Sequence, residues 1–91
     1  MELRVHLFSI LVECLPAGAS RGQATVTLPE GATVADLIVH LGIDTYLGFS
    51  PAGVIAEAGW QVSVGGQFGA TADRVLHDGD TVLMFPHISG G

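Results

Sequence analysis

The most secure helix that this chain's apolar spacing marks out is a short one. Val34, Leu37, Ile38 and Leu41 recur at intervals of three and four residues. Thr33 stands before them as a good N-cap, with Asp36 three residues later as an imperfect capping box, and Gly42 is placed to end the helix. Around this segment the pattern is alternation and turns. A lone helix of about ten residues can bury its apolar stripe only against a sheet, so the chain is expected to fold as a two-layer α+β domain. At 91 residues there is room for one such domain with a modest core.

The strands can be placed from period-two patterning. Residues 2–8 set Leu3, Val5 and Leu7 on one face and Arg4, His6 and Phe8 on the other. A loop over 16–22 leads to a second strand at 24–28, closed by Pro29-Glu30-Gly31. After the helix, residues 43–59 carry Gly48, Pro51 and Gly53 and read as loop with a short helical turn around 54–58. A strand at 60–64 turns through Gly65-Gly66 into a short strand beginning Gln67-Phe68, and Asp78-Gly79-Asp80 launches the last strand at 81–85. This order predicts a mixed sheet of about five strands with the first and last side by side at its centre and one main helix packed on one face. That is the β-grasp, or ubiquitin-like, architecture. It assigns residues 1–85 to the domain and 86–91 to a flexible C-terminal tail.

Composition removes most functional classes. Net charge is −6, with three Arg and no Lys, so the basic patch that nucleic acid requires is missing. A Walker phosphate loop and Schiff-base chemistry are excluded with the lysines. A partner with a basic docking surface is expected instead. The single Cys14 and four His show no metal-ligand spacing. His6 and His40 read as filler on their elements, and His77 as part of a turn. Asp78 and Asp80 read as turn chemistry. Residues 7–15 followed by Pro-Ala-Gly-Ala-Ser have the outline of a signal segment, but His6 and Glu13 interrupt it and Arg4 is its only positive charge. The segment reads as structure of a cytoplasmic protein, and no run is long enough to span a membrane.

What remains is a sheet face and a tail. Alternation leaves Phe8, Leu83 and Phe85 on the face with no helix, and the hairpin can bring Phe68 beside them. Exposed aromatic clusters of this kind mark partner surfaces. The competing expectation is that residues 43–59 fold across and bury them. The last strand runs into Pro86-His87-Ile88-Ser89-Gly90-Gly91. The two glycines offer no side chain, only a carboxylate on the thinnest chain available. Extended, the tail reaches roughly 20 Å, enough to thread a channel and present its terminal carbonyl carbon to another protein.

Val5-His-Leu-Phe8, Thr33-Val-Ala-Asp-Leu37, Val62-Ser-Val-Gly-Gly-Gln67, Leu76-His-Asp-Gly-Asp80 and Val82-Leu-Met-Phe-Pro86 before Ile88-Ser-Gly-Gly91 together cover nearly the whole length. In this order they resemble the small β-grasp sulfur carriers, above all the small subunit of molybdopterin synthase (MoaD-like) and, less closely, the thiamine carrier (ThiS-like). The resemblance implies that a ThiF/MoeB-like activating enzyme uses ATP to adenylate the Gly91 carboxylate. A persulfide sulfur then displaces AMP to leave a thiocarboxylate. It implies that the sulfur passes to a pterin precursor in the molybdopterin-synthase large subunit, serving molybdenum or tungsten cofactor biosynthesis. On this reading the chain is no enzyme and binds no cofactor, metal, nucleic acid or membrane. Gly90 and Gly91 carry the reactive group, and Phe8, Phe68, Leu83, Phe85, Pro86, His87, Ile88 and Ser89 meet partners. Three alternatives stay open: a thiamine-thiazole or other sulfur carrier, a ubiquitin-like modifier conjugated through Gly91, and a plain interaction domain. The chain departs from the family's pattern at Val12-Glu13, where relatives often carry Arg-Glu, and at Pro86-His87, where Pro-Pro is usual.

Overall fold

A computed structural model describes residues 1–86. The elements run β1 (Glu2–Leu7), a 3₁₀ helix (Ser9–Cys14), β2 (Gln23–Thr27), α1 (Val34–Leu41), α2 (Ile43–Leu47), α3 (Pro51–Ala56), β3 (Trp60–Val64) and β4 (Thr81–Pro86). The sheet order is β2-β1-β4-β3. β1 and β4 are parallel at its centre, with Val5 opposite Val82 and Leu7 opposite Met84. Both outer pairs are antiparallel. This is the β-grasp arrangement that the order of strands and helix predicted. Among the described residues no helix is long and apolar enough to cross a membrane.

The core follows the alternation. Leu3, Val5 and Leu7 of β1 and Val82 and Met84 of β4 are buried together with Val34, Leu37 and Ile38 of α1. The start of α1 leaves little unsatisfied. The Thr33 hydroxyl accepts from the Asp36 N–H and the Asp36 carboxylate accepts from the Thr33 N–H, so the capping box is complete. The Val34 and Ala35 N–H groups donate to the carbonyls of Arg74 and Ala72 at 2.9 and 2.8 Å. The first-turn donors that a helix cannot satisfy internally thereby tie the 71–76 segment across the helix end. Thr33→Ala is expected to cost about 1 kcal/mol, measurable as a lower urea midpoint at unchanged slope.

Two expectations need correction. The sheet has four strands, not about five. Gly65-Gly66 does make a two-residue turn, and Val64 and Gln67 exchange both backbone hydrogen bonds at 3.0 Å. Beyond that one bridge, Gly69 turns the chain away (φ 78°). Only the Ala70 N–H then returns to the Val62 carbonyl, at 3.0 Å. A strand needs a continuous ladder, and one bridge plus one bond is not one.

The second correction concerns 43–59, where two short helices stand in place of a loop with one helical turn. The Ser50 hydroxyl caps α3 by accepting from the Gly53 N–H at 3.0 Å. Pro51 follows at the position whose missing N–H costs a helix nothing. Ile43 and Val54 are buried, so the segment extends the α1 layer. α2 and α3 pack on α1, and α3 packs on β3.

Candidate functional site

The uncovered face of the sheet carries the side chains that the core pattern leaves over. On β1 these are Glu2, Arg4 and His6, and on β4 Thr81, Leu83 and Phe85, since their neighbours Leu3, Val5, Leu7, Val82 and Met84 point inward and are buried. Phe8 follows β1 in extended conformation (φ −115°, ψ 160°) and its N–H donates to the Met84 carbonyl at 3.2 Å. Because β1 and β4 run parallel, Phe8 and Phe85 emerge at the same end of the sheet, where β4 finishes at Pro86.

The rings meet there. Phe8 and Phe85 lie edge to face, with centroids 6.3 Å apart and planes at 87°. Phe68 meets Phe85 in the same way at 5.9 Å and 82°. On the far side His6 stacks on Phe8 at 4.1 Å and 23°. Four rings thus cross the sheet in a row from β1 over β4 to the turn beyond β3. Edge-to-face and offset stacking are the favoured geometries of aromatic pairs, so the row is a defined surface and not a collapsed cluster. Phe68 remains 71% exposed, and Phe8, Leu83 and Phe85 are half-buried. Residues 43–59 lie with α1 and do not cover the row.

Ser63 faces this side opposite Leu83. It is fully buried, and its hydroxyl has no hydrogen-bond partner among the described residues. An unsatisfied buried hydroxyl costs on the order of 1–3 kcal/mol. Ser63→Ala is therefore expected to raise stability by about 1 kcal/mol, read as a higher midpoint in urea unfolding.

The other polar groups are structural. The Asp80 carboxylate accepts from the His77 N–H at 2.8 Å, which is the turn chemistry expected of it, whereas that of Asp78 accepts from the Glu2 N–H at 2.7 Å and ties the turn to the start of β1. Burial raises the Cys14 thiol pKa, and the nearby Glu13 carboxylate adds to the effect. A thiol shifted upward supplies less thiolate and makes a poor nucleophile.

Of the residues singled out from the sequence, the structure brings Phe8, Phe68 and Phe85 into one row with Leu83 beside it. It places Pro86, exposed and opposite Trp60, at the end of β4. His87, Ile88, Ser89, Gly90 and Gly91 lie outside the described residues. His6, read as filler, belongs to the row. The signal was available, because His6 and Phe8 share a face by the same alternation that buries Leu7.

The family model of ThiS matches residues 5–91. No curated protein matches the sequence. Among solved structures, the putative molybdopterin converting factor subunit 1 of Pyrococcus furiosus is 26% identical with a TM-score of 0.65, covering 96% of this chain and 98% of its own. SAMP1 from Haloferax volcanii is 25% identical with a TM-score of 0.60, covering 100% of both chains. The complex of subunits 1 and 2 of the molybdopterin-converting factor from Helicobacter pylori aligns over 100% of both chains at 12% identity and a TM-score of 0.56, a likeness of fold alone.

Proposed function

The chain belongs to the ThiS family, and from that premise we propose that it is a sulfur carrier whose reactive group is the Gly91 carboxylate. The members it resembles are small carriers and modifiers, not enzymes. The observation that carries the proposal is the row of rings on the uncovered sheet face, set at the end where β4 delivers Pro86 toward the tail. A partner seated on Phe8, Phe68, Leu83 and Phe85 has the start of the tail beside it. The remaining residues, His87 to Gly91, can then reach an active site roughly 15 Å away.

The chemistry needs no catalytic group on this chain. A carboxylate is a poor electrophile. Attack of its oxygen on the α-phosphate of ATP, with loss of pyrophosphate, gives an acyl-adenylate. The outer sulfur of a persulfide then displaces AMP to give an acyl disulfide, and a second thiol cleaves the S–S bond, forming a disulfide with the donor sulfur and releasing the thiocarboxylate. An activating enzyme of the ThiF/MoeB type would supply the ATP site and the sulfur source. The acceptor on this reading is a molybdopterin-synthase large subunit, supported by the similarity to the Pyrococcus furiosus protein. Similarity to SAMP1 supports a second reading, a modifier joined to lysines of other proteins. This chain has no Lys of its own.

Intact-mass spectrometry after incubation with ATP, an activating enzyme and a persulfide donor separates the two. A sulfur carrier gains about 16 Da, sulfur replacing oxygen. A modifier appears as isopeptide-linked conjugates in cell extracts, and a chain that shows neither product is no carrier.

A further inference from the structure

The imidazole of His6 lies flat against a neighbouring ring. Its ring stacks on Phe8 with centroids 4.1 Å apart and planes at 23°. Residues i and i+2 of a strand stand about 6.5–7 Å apart, so these rings lean together instead of standing parallel over their own Cα atoms. Gly22 of the chain leading into β2 lies near the same imidazole. A Cβ there would come within 3.4 Å of His6 Cδ2, 3.5 Å of Nε2 and 2.9 Å of the Leu7 carbonyl oxygen. Gly22 also has φ 74°, a conformation that disfavours any side chain. Position 22 thus leaves the space beside the imidazole free of a side chain, and the Leu7 N–H donates to the Gly22 carbonyl at 2.9 Å.

Phe8 needs a supporting ring. It stands outside β1, its N–H bonded to the Met84 carbonyl, and the next residue, Ser9, turns the chain into the 3₁₀ helix at φ 56°. The ring contacts that orient it are the face of His6 and the edge of Phe85. Among the described residues the His6 side chain makes no hydrogen bond or ion pair, which leaves stacking as its contribution.

We propose that His6 is a positioning residue of the docking surface: stacked on Phe8, it fixes that ring in its edge-to-face contact with Phe85, so that a partner protein acting on the tail meets a preorganised row of rings. The inference rests on the reading that this face docks that partner. Preorganisation removes the cost of ordering a rotatable side chain on binding. The effect therefore falls on affinity for the partner and not on the chemical step.

The test is steady-state pyrophosphate release by the activating enzyme as carrier concentration is varied, for the intact chain and for His6→Ala, His6→Phe and Phe68→Ala. His6→Ala is expected to raise KM for the carrier about fivefold to tenfold with kcat unchanged. His6→Phe, which keeps a flat ring against Phe8, is expected to stay within about twofold of the intact chain. Calorimetric binding to the same enzyme without ATP should follow the same order, with melting temperatures checked for all variants. The positioning role is overturned if Phe68→Ala raises KM while His6→Ala leaves it unchanged. It is equally overturned if His6→Phe is as damaging as His6→Ala, because the ring nitrogens would then be the active feature. Unchanged KM in all three variants removes the docking reading itself, and the inference with it.

Discussion

A chain ending at Gly90 is expected to accept no sulfur. Deleting Gly91 leaves a chemically equivalent carboxylate, but places it about 3.5 Å short of where the intact chain ends. Acyl transfer depends on reacting atoms held at near-attack distance, and a displacement of even 1 Å can cost on the order of 10²-fold. Pyrophosphate release should fall by at least that factor, and the gain of about 16 Da should vanish from the intact mass. Stability should not change, because Gly91 lies beyond Pro86, the last residue of β4. The same melting temperature with no activation assigns the effect to the terminal carboxylate. Full activation of the shortened chain would remove Gly91 from the mechanism.

The second large effect is expected from Phe68→Asp. At 71% exposure Phe68 lends the core little, so the substitution should shift stability by no more than about 0.5 kcal/mol. As an interface residue it is a different matter. Replacing an aromatic anchor with a carboxylate removes its contact area and forces a charge to be desolvated. Losses of about 2 kcal/mol or more, roughly 30-fold in Kd, are usual at such positions. Calorimetry with the activating enzyme, beside thermal unfolding of the free chain, gives both numbers. A Kd within about twofold of the intact chain would place docking elsewhere.

These two experiments probe parts of the molecule that were legible to different degrees. The face carrying Phe8, Leu83 and Phe85 could be read from alternation alone, since a strand that buries Leu7 or Met84 must turn its neighbours the other way. That Phe8 and Phe85 share one end of the sheet required β1 and β4 to be parallel neighbours, which only the overall strand order supplied. The same alternation set His6 on the face of Phe8, but a histidine in an alternating strand carries no local mark that its ring stacks on a neighbour. Gly22, sixteen residues away in the chain, comes near it only because β2 pairs back on β1.

The missing fifth strand and the extra helices have the same origin. Gln67-Phe68 follows a hairpin turn and looks like the start of a strand. Whether it continues depends on Gly69 and on bonds to the far edge of β3. In 43–59 the glycines and proline suggested loop, yet Ser50 and Pro51 are good helix-start residues. Burial of Ile43 and Val54 against the α1 layer supplied what local propensity did not.

By itself the sequence determined the two-layer build, the core residues of β1, α1 and β4 and the caps of α1. Each rests on periodicity or on contacts within a few residues, which the chain carries wherever it goes. The tertiary structure alone decided the row of four rings, the parallel pairing of β1 with β4, the buried hydroxyl of Ser63 and the end of the ladder after Gln67. Those depend on residues brought together from distant parts of the chain, and the geometry of such meetings is set by packing.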